Sequence, residues 1–337
     1  MKCHYCLLGI VALLLTVLHA PFVWSMDAAL APEFSDPNYR VQMPESWVVK
    51  PIDRTVQTDV AKKTDLKVIL DQQIFRLLQP SIQAFAKQNN LNIAQGDGTC
   101  GHSAGALAAK RTDIGGFCCP PRDLDRLPGL EFHTLGITPI ALLVHPDNPI
   151  DNISIEEARK IFSGDISRWS QLKTAEGIKG PNRPVLPVGR LHCKPRPGHW
   201  RLILDNEDLF SPDLQEVGTI PDMISMVAHG KSAIGHAAYW FAAKHYRNKG
   251  KTKVLMVDGI HPSDVNAVAQ GRYPFYKTFS VTTWHGPHVE NKNAMRLVTH
   301  MLHAMAHLDH ADGVVSASML RANGWQFQAD ELIGSNR

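Results

Sequence analysis

Hydrophobic and polar positions first sort into a regular pattern after residue 64. Leu66-Lys67-Val68-Ile69-Leu70 reads as a strand, and residues 75–88 place apolar side chains at helical spacing despite Pro80. Asn92-Ile93-Ala94 predicts a short strand, residues 96–101 a loop, and the alanine-rich stretch 103–110 a helix, which sets Cys100 at a helix N-terminus. A further strand ends at Gly115-Gly116, and Phe117-Cys118-Cys119-Pro120-Pro121 reads as a turn. Residues 137–145 are almost continuously apolar, as in a strand buried on both faces. Asn152 or Ser154 caps the next helix, whose first turn holds Glu156 and Glu157. Residues 273–284 predict another long strand, and helices over about 292–307 and 313–323 close the pattern. Alternation of this kind predicts an α/β fold with mixed sheets.

Upstream of this pattern, residues 32–64 are rich in proline, polar and charged side chains and lack periodicity, so order is expected to begin near Asp65. At the start, Lys2 and His4 precede an apolar run over 7–18 that is followed by Ala20, the arrangement of a secretory signal peptide. That run falls short of the roughly 20 residues a membrane-spanning helix needs. Small residues up to Ala31 compete as the cleavage site, and Cys3 and Cys6 lie before the run, where no lipid-anchor site would place them. A soluble periplasmic protein is the expectation. Roughly 300 residues then remain, enough for two domains. The formal charge of +3 is small and its Lys and Arg residues form no runs, which argues against a nucleic-acid partner.

Cysteine sharpens the picture. Cys100, Cys118, Cys119 and Cys193 lie beyond the leader, and an even count in an exported chain allows two disulfides, for example Cys100 with Cys118 or Cys119. A thiol ligand set is the alternative. No Ser-His-Asp order, paired-carboxylate pattern, HExxH or phosphate-cradling loop is apparent, so an enzyme is not expected. His300, His303, His307 and His310 form a helical stripe opposite Leu297, Met301, Met305 and Leu308, which reads as a solvated face backed by an apolar one.

The stretch 137–172, ITPIALLVHPDNPIDNISIEEARKIFSGDISRWSQL, resembles the crossover strand, NP turn and IFxGxIxxW helix of the periplasmic phosphate-binding proteins of ABC transporters. Supporting matches are Arg111-Thr112-Asp113-Ile114-Gly115, Pro187-Val188-Gly189-Arg190, Ala233-Ile234-Gly235-His236, Tyr273-Pro274 and Ala322-Asn323-Gly324-Trp325. The resemblance covers about residues 65–330 and implies two α/β lobes, joined by a two-stranded hinge, that close on a ligand. After the leader, read here as 1–31, and the extension over 32–64, it implies lobe 1 from 65–137 plus 284–337 and lobe 2 from 138–283. The crossings then fall near Ile137 and Trp284.

In that family an anion is held by backbone N–H groups and hydroxyls at helix N-termini. Here those positions differ. Counting from the Asp113 match, Thr99-Cys100-Gly101-His102 replaces a serine-rich loop, the family's site aspartate falls on Cys118, and Leu191-His192-Cys193-Lys194 replaces a GSGT loop. Asp71, ahead of Gln72 and Gln73, would repel phosphate. Thiolates suit Cu(I), Zn(II) or trivalent arsenic, and a helix N-terminus would favour the thiolate of Cys100. The expected ligand residues are therefore Asp71, Gln72, Thr99, Cys100, Cys118, Cys119, Arg190 and Cys193. Of these, Cys100, Cys118 and Cys193, with His102 and His192, would hold a soft metal or metalloid, and Cys193 would bridge from the second lobe. Arg190 matches a family arginine and favours an oxyanion instead. Two alternatives stand beside the thiophilic ligand: a phosphate-like oxyanion, and a thiol redox or metal-storage role suggested by the vicinal Cys118-Cys119 pair. No cofactor is expected beyond the small inorganic ligand, and a monomer that delivers to an ABC permease or a membrane sensor kinase is implied.

Overall fold

A computed structural model of the chain describes residues 34–57, 61–191, 202–242, 250–308 and 313–336. The expected leader, Cys193, His192 and His310 lie outside the described residues. Among the described residues, no helix is long and apolar enough to cross a membrane.

The first half of the chain contains α1 (Glu45–Val48), β1 (Thr55–Val56), β2 (Lys62–Lys63), β3 (Leu66–Asp71), α2 (Gln72–Gln88), β4 (Ile93–Gly98), α3 (Cys100–Ala108), β5 (Ile114–Phe117), β6 (Leu130–Val144), β7 (Asn152–Ile153) and α4 (Ile155–Ser163). It continues with β8 (Leu186–Gly189), β9 (Gln215–Glu216), α5 (Ile220–His229), β10 (Ala233–Ala238), β11 (Lys253–Val254), β12 (Met256–Val257), α6 (Val265–Ala269) and β13 (Tyr276–Trp284). After these come α7 (Lys292–Ala306), β14 (Val315–Ser316), α8 (Ala317–Ala322), β15 (Gln326–Gln328) and β16 (Glu331–Gly334).

The main sheet runs β4-β3-β5-β13-β6-β10-β8-β9, with β11 and β14 also paired to β6. Parallel and antiparallel pairs mix in it, as the α/β reading requires. Its centre is the antiparallel pair β6 and β13, in register from Leu130↔Trp284 to Pro139↔Tyr276 with an irregularity at Phe279/Ser280. Both strands are buried on both faces, apart from Glu131, which explains their apolar, β-branched sequences. Beyond Pro139, β6 exchanges partners and pairs with β10 through residues 140–144. Over that stretch Ala141 and Leu143 join a core cluster with α2, α3, α5 and α7, while Ile140, Leu142 and Val144 join a second with α4, α6 and α8.

Caps set the helix boundaries. Ser154 and Glu157 form a reciprocal capping box on α4, whose end is marked by Gly164 at φ 93°. Several expectations shift. β4 continues through Gly98, because six parallel pairs with β3 hold the glycine-bearing stretch that reads as a loop. β6 begins seven residues before Ile137, and residues 313–323 split into β14 and the shorter α8 because Val315 and Ser316 pair with Ile137 and Gly136.

Order begins well before Asp65. Residues 34–57 lie as a strap across the sheet's first half, held by specific contacts that hydrophobic periodicity does not signal. The Ser35 hydroxyl donates to the Pro121 carbonyl, the Trp47 indole to Ala108, and the Asp53 amide to Lys110. Arg54 pairs with the buried Asp113 at 2.6 Å. The Lys110 ammonium lies between the Trp47 and Trp284 rings, 4.2 and 4.3 Å from their centroids. Arg126, itself buried, joins Ser35 to Glu331 near the end of the described chain.

Candidate functional site

Three loops at the carboxyl ends of β3, β4 and β5 meet at one point, the usual location of ligands in open α/β sheets. β3 ends at Asp71, whose side chain turns back to cap α2 by accepting from the Gln73 amide at 2.9 Å. β4 leads to Thr99, which caps α3 by accepting from the His102 amide at 3.2 Å. Cys100 then opens α3, and the Ser103 hydroxyl donates to the Ile69 carbonyl, fixing that turn against β3. β5 delivers Cys118 and Cys119 from the opposite side.

Cys100, Cys118 and Cys119 are all buried, and their sulfur atoms lie within 4.8 Å of one another. Cys100 Sγ is 3.2 Å from Cys118 Sγ and accepts from the Cys118 amide at 3.1 Å. Cys100 forms no disulfide with Cys118 or Cys119 in this structure, so the expected pairing is not seen. Asp71 Oδ2 lies 3.9 Å from Cys100 Sγ. The Lys277 ammonium, carried by β13, lies 3.6 Å from Cys118 Sγ.

Burial decides the charge states here. Loss of solvent, reinforced by the neighbouring Cys118 and opposed by Lys277, pushes the Asp71 carboxyl well above its ordinary range. Cys100 is also pushed up, first by its hydrogen bond with Cys118 and then by burial and by Asp71. The helix N-terminus therefore does not make Cys100 a thiolate, since dehydration and a second sulfur outweigh the partial charge of α3. Asp71 likewise does not present an exposed negative charge.

The remaining expected residues are more scattered. Gln72 is half-buried, and its neighbour Gln73 is buried with no hydrogen-bond partner for Oε1 among the described residues. Thr99 and His102 are exposed on the outer side of α3, and His102 does not join the sulfur group. Arg190 is buried just after β8, donates to the Gly218 carbonyl at 3.3 Å, and lines a small cavity with Ile140, Ile220, His236 and Lys277. Lys277 thus touches Cys118 and shares that cavity with Arg190. Sequence reasoning missed Lys277; the signal for it was a lone lysine inside the otherwise uncharged strand YPFYKTFSVTTW.

Elsewhere His133 bridges Asp330, 3.0 Å from Nδ1, and Thr283, 2.7 Å from Nε2. This resembles a hydrolytic triad in composition, but Thr283 is wholly buried in β13, so the array serves to tie the strand β6 to the C-terminal hairpin. The histidine stripe of α7 divides: His300 packs on Phe85 of α2, whereas His303 and His307 are exposed, with Leu297, Met301 and Met305 buried on the other face as expected.

Comparison with known proteins bears on the fold and the family. A family model described as the PBP superfamily domain matches residues 62–299. The phosphate-binding protein PstS of Bacillus subtilis (strain 168) is 26% identical over 182 residues, covering 54% of this chain and 55% of that protein, so the match spans about half the relative's length. Among solved structures, a phosphate-bound ABC-transporter substrate-binding protein from Clostridium perfringens superposes with a TM-score of 0.59 at 14% identity, covering 74% of this chain and 98% of that one. An ABC-type phosphate transport receptor from Vibrio cholerae gives 0.53 at 15% identity, covering 70% and 92%. These likenesses share one fold, and with the family match over most of the described chain they place the protein among its members: the chain belongs to the PBP superfamily.

Proposed function

We propose that this protein is an exported solute-binding protein, not an enzyme, that captures a thiophilic metal or metalloid between two lobes formed by residues 65–137 plus 284–337 and 138–283. The observation that carries the reading is the convergence of three buried sulfurs from α3 and the turn after β5. Phosphate recognition asks for many neutral donors and little competing charge, and sulfur in place of hydroxyls removes donors. A soft element gains from the same change. The strands β6 and β13 supply the two crossings about which closure would occur. The loaded protein, a monomer in the periplasm, hands its ligand to an ABC permease or a membrane sensor and needs no cofactor of its own.

The cavity shared by Arg190, Lys277 and His236 favours a second reading, a phosphate-like oxyanion with cysteines standing in for hydroxyls. The 3.2 Å contact of Cys100 with Cys118 favours a third, a thiol redox or metal-storage role. Protein isolated from the periplasm, assayed for free thiols and bound elements and then titrated calorimetrically in reduced form, separates them. The proposal expects free thiols and tight binding of arsenite, Cu(I) or Zn(II), with phosphate far weaker. Tight phosphate binding without any response to those ligands would return the protein to ordinary phosphate capture.

A further inference from the structure

Three sulfurs from one side of the fold present a three-point surface. A single atom bonded at about 2.3 Å to each of three thiols requires sulfur separations of about 3.3 to 4 Å. The separations here, 3.2 Å for Cys100 to Cys118 and all below 4.8 Å, need only small adjustment. A tetrahedral cation would require a fourth ligand. Among the described residues no histidine joins the group, and the Lys277 ammonium, 3.6 Å from Cys118 Sγ, opposes a second cation.

We infer that the solute is the neutral trihydroxide of a three-coordinate p-block element, arsenite or antimonite in class, bound by Cys100, Cys118 and Cys119 through condensation. This inference rests on the thiol reading above and narrows it. The step is E(OH)3 + 3 RSH → E(SR)3 + 3 H2O. Three E–O bonds break and three E–S bonds form, each thiol proton departs on a hydroxide as water, and no atom changes oxidation state. Neutral reactants thus give a neutral product inside a dry site. A metal cation would instead have to expel thiol protons and bring its own charge into the same buried surroundings. Capture in this scheme is complete within α3 and the turn after β5, so three bonds form without a sulfur from the second lobe.

Native mass spectrometry of the reduced full-length protein with arsenite tests this directly. One adduct per chain is expected, at the mass of the trihydroxide less three waters, and Cys119→Ser should shed only two and bind about tenfold or more weakly. Calorimetry in two buffers of different ionisation enthalpy should register less than one proton released per site. If Cys119→Ser still sheds three waters, a fourth sulfur makes the bond and the assignment falls. If arsenite leaves no dehydrated adduct while Zn(II) or Cu(I) binds tightly and releases two or more protons, the element class is wrong but the thiol site stands. Binding of inorganic phosphate with none of these thiophiles overturns the thiol reading itself. Because the wild-type adduct mass already discriminates, the test does not depend on the variant folding.

Discussion

Asp71 combines two roles at a single position, capping α2 through one oxygen while facing Cys100 with the other. Its pKa is raised in the folded state, so folding takes up a proton once pH exceeds the ordinary carboxylate value near 3.9. The unfolded chain then binds fewer protons than the native one, and stability falls as pH rises from there toward the folded-state pKa, by about 1.4 kcal/mol per pH unit at most. Asp71→Asn keeps a capping oxygen and removes this titration. Thermal melts should show the variant gaining on the parent as pH rises above 4; parallel curves would mean that Asp71 is ionised. Position in the sequence marked Asp71, Cys100 and Cys118 as ligand-loop residues, because the motif at Asp113 and the strand ends fix the loops. It did not mark Lys277, since alternation along a strand buried on both faces says nothing about which enclosed side chain carries charge. Nor did it single out Cys119 as the third sulfur of the group, since in a vicinal pair residues point to opposite sides in extended chain and converge only in a turn.

At the scale of elements, periodicity was informative wherever one face meets solvent and less so elsewhere. The helices α2, α4 and α7 fall where their apolar stripes and caps place them. β6 and β4 extend beyond their apolar cores because pairing, not composition, prolongs them. Gly136 illustrates the point. A Cβ at this position would run into the Val315 carbonyl, so the glycine permits β14 to lie against β6 where β6 and β13 shift register. Gly136→Ala must move backbone in two strands at once, and a loss of about 2 to 3 kcal/mol is expected in chemical denaturation, toward the upper end for overpacking in cores. A change within a few tenths would show that β14 gives way freely. Since β14 precedes α8, the variant should also loosen the packing of Leu320 in the second core cluster.

Across the molecule, the strap converts an unpatterned segment into a structural one by using buried charge in place of apolar periodicity. Asp113 is almost fully enclosed and accepts from Arg54, the Lys67 amide and Asn291. Arg54→Ala leaves that carboxylate without its cation, and because two donors remain the cost should sit at the low end for broken buried pairs, about 3 kcal/mol. Limited proteolysis should then cut within residues 34–57 before the rest of the chain. Protection equal to the parent's would place the strap's anchorage elsewhere, with Trp47, Lys110 and Trp284. None of this was legible from residues 32–64 alone, whose proline and charge content signals an absence of helix or strand but not an absence of order.

Arg126 gives the strap a consequence in time. It holds Ser35 with one edge of its guanidinium and Glu331 with another, uniting residues separated by 91 and 205 positions. Closing such long loops is slow relative to forming the local strand-helix units between them. A segment that emerges from the ribosome well before Glu331 therefore waits for it before it can be fastened, and β3, β5 and β13 must already be assembled to receive it. The strap is laid down first and secured last. In refolding experiments the two tryptophans that enclose Lys110 should report this as a late fluorescence phase, after the bulk of secondary structure has formed and together with protection of the Asp53 amide from exchange.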